Sequence, residues 1–77
     1  MEILAKEIAT FMWHVDLYEA HDAYESFEEL ITEIIRGLYN PIYRKVLALT
    51  LKEIVEWGRI EEEATEAAVL YRKVMAI

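Results

Sequence analysis

The chain of 77 residues has no cysteine and no glutamine, one proline, one serine, one asparagine and two glycines. Each scarcity excludes something. Without cysteine there is no disulfide, no thiolate metal site and no cysteine nucleophile. With two glycines and a single serine there is no glycine-rich phosphate loop and no serine triad of recognisable spacing. No apolar run approaches the ~20 residues that a membrane span requires, and no basic region followed by an apolar core stands at the N-terminus. The expectation is a soluble, cytoplasmic protein without a membrane span. The lack of glutamine beside plentiful Glu, Ile and Tyr also matches the composition of heat-adapted proteins.

What the chain has in abundance is apolar surface at helical spacing. Hydrophobic residues make up 56% of it, nine of them alanines that are also good helix formers. A domain this small buries only roughly 60% of its unfolded surface, so the apolar content exceeds what one small bundle hides. Self-association is therefore expected, and we read the chain as a homo-oligomer built from a single all-helical domain, residues 1–77.

The organising break is Asn40-Pro41. Asn is a preferred helix N-cap, and Pro at the first helical position loses no hydrogen bond, because that N–H has no intrahelical acceptor. Beyond it, Tyr43, Leu47, Leu51, Ile54 and Trp57 recur at three and four residues, with Val46, Leu49 and Val55 widening the apolar face. Before it run two stripes. Leu4, Ile8, Phe11, Val15 and Tyr18 form one; Trp13, Leu17, Ala20, Tyr24, Phe27, Ile31, Ile34 and Leu38 form the other. On one straight helix these would lie on nearly opposite sides. Either the chain bends within residues 21–26, where Ser26 and Glu29 match a capping box, or one long helix is sandwiched between different neighbours.

Gly58 and the acidic run Glu61, Glu62, Glu63 predict a second break and a new helix start. Two all-α architectures follow: a compact four-helix bundle, with helices at about 2–20, 27–39, 41–57 and 60–76, or two long helices that meet at Asn40-Pro41 and associate into a larger bundle. The faces expected to serve association are marked by Trp13, Tyr24, Ile60, Ala64, Ala67 and Tyr71. Alanines there permit close helix approach, and aromatics are typical anchors.

The net charge of −7 belongs wholly to the first half: residues 1–39 carry nine acids against Lys6 and Arg36, whereas residues 40–77 carry six of each sign. Phosphate recognition needs clustered Lys and Arg, so no direct nucleic-acid binding is expected. Asp22, Glu25, Glu29 and Glu33, spaced three, four and four, form an acidic ridge suited to a basic protein partner. A solvated helix face with Glu33 and Arg36 as an i, i+3 pair explains the same residues.

Two patterns bear on metal chemistry. His14, Tyr18, His21, Glu25 and Glu28 share one side of a continuous helix, but the Glu-x-x-His repeat of di-iron bundles is absent, as is HExxH. Glu25 with Glu28, Glu53 with Glu56 and Glu63 with Glu66 are three Glu-x-x-Glu steps. Over these six residues the chain resembles the helical nucleoside triphosphate pyrophosphohydrolases, which hold Mg²⁺ on such pairs. The resemblance implies a metal-dependent helical enzyme, although the Asp that normally ends one pair of that family has no counterpart here. The leading expectation is an acidic, non-enzymatic helical protein without a cofactor. It would act through self-association and protein contact, as a structural subunit, an adaptor or an inhibitor of a basic-surfaced partner. The alternative is a metal-dependent enzyme using the Glu pairs or His14 and His21.

Overall fold

A computed structural model describes residues 1–15 and 22–77. Among the described residues there are four helices: α1 (Glu2–Val15), α2 (Phe27–Leu38), α3 (Pro41–Trp57) and α4 (Glu61–Met75). The chain is all-α and compact, with a radius of gyration of 11.5 Å and extents of 28 × 27 × 19 Å, so the four-helix architecture is the one adopted. Packing runs in a ring: α1 on α2, α2 on α3, α3 on α4, and α4 back on α1, with α3 on α4 the most extensive contact. Tyr18 and residues 16–20 of the expected first helix lie outside the described residues.

Each boundary has a local cause. The chain opens at residues 24–26, between helical Asp22 and Ala23 and the start of α2, which settles the bend against the continuous helix. Ser26, in extended conformation, accepts from the Glu29 N–H at 3.2 Å. The Glu29 carboxylate reaches back to the backbone N–H of Glu25 at 3.1 Å, one residue earlier than the capping box predicts. Asn40 accepts from the Ile42 N–H at 2.9 Å and Pro41 opens α3. Arg44 adds a clamp at this corner: its Nη1 donates to the Leu38 carbonyl at 2.7 Å, placing a cation on the negative end of α2.

At the next corner Gly58 ends α3 with φ −64° and ψ 137°, not the left-handed conformation for which glycine is usually selected. What favours glycine there is proximity, since a Cβ would collide with the Ile54 carbonyl oxygen. Ile60 stands at the N-cap of α4 with no side-chain hydrogen bond, and three glutamates in the first turn complement the positive helix end instead.

Among the described residues the core is wholly apolar. Ala5, Ile8, Ala9 and Phe11 of α1 meet Leu30, Ile34 and Leu38 of α2, Leu47, Ala48 and Leu51 of α3, and Ala67, Leu70 and Val74 of α4. Full burial of each Ile or Leu contributes about 1.5–3 kcal/mol. Around this centre Trp13 packs edge-on to Phe27, with ring centroids 6.0 Å apart and planes at 63°. The α4–α1 seam is closed by Lys73 Nζ donating to Glu7 Oε2 at 2.7 Å. Both side chains remain substantially solvated, so that pair adds little beyond the packing.

Gly37 is buried, and a Cβ built on it would collide with the edge of the Tyr43 ring. The absence of a side chain on α2 is what lets the α3 aromatic lie flush at the Asn40-Pro41 corner. Gly37→Ala would ordinarily stabilise a helix by about 0.5–1 kcal/mol. Here overpacking should dominate, and chemical denaturation should show a net loss of about 1–3 kcal/mol; a stabilised variant would contradict the close approach.

Tyr43 supplies a second test. Burial first, then neighbouring Tyr24 and the Glu33 carboxylate, raise its phenol above the ordinary 10.0. The folded state therefore holds this proton at pH values where the unfolded state has released it, so stability is fully present below about pH 10 and declines above it. Melting temperatures followed from neutral to alkaline pH should fall less steeply in Tyr43→Phe than in the parent.

Candidate association surface

α3 has two apolar faces, and only one of them is used inside the chain. Leu47, Ala48 and Leu51 point into the core with Ile54 beside them. On the opposite side, within about 60° of one another at 100° per residue, lie Ile42, Val46 and Leu49, exposed by 74%, 57% and 54%. The same outward side continues toward the C-terminus with exposed Glu53 and Glu56. Lys45 and Lys52 flank the stripe on one side, and Thr50 and Trp57 on the other. The Thr50 hydroxyl is satisfied within the helix, donating to the Val46 carbonyl at 3.0 Å.

Leu49 also borders a groove of about 390 Å³ between α3 and α4, walled by Tyr71, Met75 and Ile77 and rimmed by Lys45 and Lys52. Leu49 borders both the stripe and the groove, and Lys45 and Lys52 stand between them. A larger hollow, about 600 Å³, lies between α1 and α4 over Phe11, Val15 and Leu70, with Lys6, His14 and Glu66 around it.

Trp57 differs from the sequence expectation. It extends the inward series Leu47, Leu51, Ile54 on paper, yet it is 80% exposed. The two successive three-residue steps from Leu51 each rotate the series by about 60°, and they carry Trp57 out of the core and onto the flank of the outward stripe.

The residues nominated for association are dispersed. Ala67 is fully buried in the chain's own core, Trp13, Tyr24 and Tyr71 pack partly buried against that core, Ala64 is half-buried, and Ile60 is exposed at the α3–α4 corner. The sequence signal for the outward stripe was present in Val46 and Leu49. They widen the apolar face of the series, and in the structure they lie on the far side of the helix from the core.

The ridge residues Asp22, Glu25 and Glu29 are exposed and Glu33 is half-buried. The break at residues 24–26 divides them, so they do not follow one helical meridian. Glu29 serves the α2 cap, and Glu33 accepts from Arg36 Nη1 at 3.5 Å, the i, i+3 pairing that a solvated face implies.

For metal chemistry, His14 is exposed at the end of α1, while Tyr18 and His21 lie outside the described residues. Glu25 precedes α2 and Glu28 lies within it, so that step straddles a helix start; Glu53 and Glu56 are exposed on α3, and Glu63 and Glu66 occupy the start of α4. Among the described residues no three acids or histidines converge to hold an ion, and no helix is long and apolar enough to cross a membrane.

No protein-family model matches the chain, and no curated protein or solved structure matches it either. Calorimetric titration with Mg²⁺, Mn²⁺ and Zn²⁺ is expected to show no stoichiometric site tighter than about 10 µM. A site of that affinity, lost in Glu53→Ala or Glu63→Ala, would revive the enzyme alternative.

Proposed function

We propose that this protein works by association: a small, acidic, non-enzymatic helical subunit that pairs with copies of itself and contacts other proteins. The observation that carries the reading is the outward face of α3, where three large aliphatic side chains stand more than half exposed in a row on a well-formed helix. Isolated apolar residues on a surface are ordinary. A contiguous stripe that joins an apolar groove is the pattern of an interaction site.

The acidic surface fits the second part of the proposal. Asp22, Glu25 and Glu28 are exposed near the start of α2, and no cation sits in the sequence between Lys6 and Arg36. A field of one sign steers a basic-surfaced protein toward this side of the molecule and disfavours nucleic acid. Structural subunit, adaptor and inhibitor all use such a surface in the same physical way.

Multi-angle light scattering is expected to give a mass of at least twice 9.1 kDa at micromolar concentrations. A monodisperse 9.1 kDa species across that range would contradict self-association.

A further inference from the structure

We infer that the groove between α3 and α4 is a ligand site for an anionic amphiphile, a single alkyl chain ending in a carboxylate. The inference stands apart from the association reading above, because it concerns the flank of α3 that meets α4 and not the outward stripe.

Shape selects a linear ligand. On α3 the groove runs from Pro41 through Lys45, Ala48 and Leu49 to Lys52, residues that form one continuous line along a helix. Between its ends the helix rises about 16 Å. The facing wall is the last part of α4, with Tyr71, Val74 and Met75. The volume, about 390 Å³, is in the range of small-molecule sites. A helix of the same length and ~10 Å across displaces roughly 1,250 Å³, so it would lie over this groove and not in it. An extended alkyl chain fits inside.

Charge selects the head group. Ala48 and Val74 are buried at the floor, and Leu49 and Met75 stand over them exposed by 54% and 61%. Every charged side chain that lines this apolar trough is a cation: Arg44, Lys45 and Lys52. That is a reversal in a chain of net charge −7. The larger hollow between α1 and α4 carries Lys6 and His14 together with Glu7 and Glu66, and such a mixed rim selects neither sign.

The cations are also uncommitted. Arg44 gives one donor to the Leu38 carbonyl, but Lys45 and Lys52 are exposed. Among the described residues the ion pairs are Arg36 with Glu33 and Lys73 with Glu7, so neither lysine is matched by a side chain or by the carboxylate of Ile77. Their long stems let the ammonium groups reach a carboxylate at the mouth while the alkyl tail lies along Ala48 and Leu49 against Tyr71 and Met75.

Calorimetric titration of the full chain with dodecanoate, below its micelle-forming concentration, should show one site per chain with a Kd on the order of 10–100 µM. Decanoate, two methylenes shorter, should bind roughly 4- to 15-fold more weakly, and dodecyltrimethylammonium at least about 10-fold more weakly. The double variant Lys45→Glu with Lys52→Glu, and separately Met75→Glu, should each weaken dodecanoate at least about 10-fold with the parent's circular dichroism retained. Lys6→Glu, at the other hollow, should bind within about 2-fold of the parent. In the parent itself, dodecanoate should shift the methyl resonances of Ala48, Leu49 and Met75 and spare Ile3 and Val69, which border the other hollow. Equal binding of the cationic amphiphile overturns the charge selection. Shifts centred on Ile3 and Val69, or a titration that does not saturate at one per chain, overturn the site.

Discussion

Each helix of a small bundle can turn one stripe toward a shared core, and the amount of core available sets how much apolar surface the chain can bury. Among the described residues thirteen side chains, drawn from all four helices, fill that core. α1, α2 and α4 supply their stripes to it. α3 supplies one and carries another on its far side, because apolar residues occur around much of its circumference. The corners, the caps and the groove all take their meaning from this excess on one helix.

The corners hold α3 so that its outward face stays clear. At one end Asn40, Pro41, the Gly37–Tyr43 contact and the Arg44 clamp fix how α3 leaves α2. At the other, Gly58 and the acidic first turn of α4 return the chain along the inner side of α3. Neither corner relies on a buried charge, and no buried polar side chain occurs among the described residues. Specificity inside the chain comes from shape and capping. Charge is left to the surface, where Asp22, Glu25 and Glu28 stand exposed near the start of α2.

Much of this fold was legible in the sequence because capping chemistry is local. Asn40 and Ser26 announce helix starts through hydrogen bonds that span only two or three residues, and Pro41 through a first-turn position where no N–H is needed. The compact bundle parts from two long helices at residues 24–26, where the capping box of Ser26 and Glu29 competes with an unbroken apolar series. The exposed apolar face was harder to place. Periodicity says which residues share a side of a helix, but not which side a neighbouring helix will cover. Leu49 and Leu47 are equally apolar, and only the positions of α2 and α4 separate them. Trp57 shows the same limit at a helix end, where the covering neighbour has already turned away. The acidic ridge was legible as a count of charges and not as a line, since the break that divides it also assigns Glu29 to a cap.

The central claim is that the chain pairs with copies of itself in solution. Small-angle X-ray scattering over a concentration series tests it most directly, because it reports mass and dimension together. The account predicts forward scattering of a dimer and a radius of gyration well above the 11.5 Å of the single chain, with both falling toward the monomer values on dilution. Scattering that keeps the monomer mass and dimension at every concentration would contradict it.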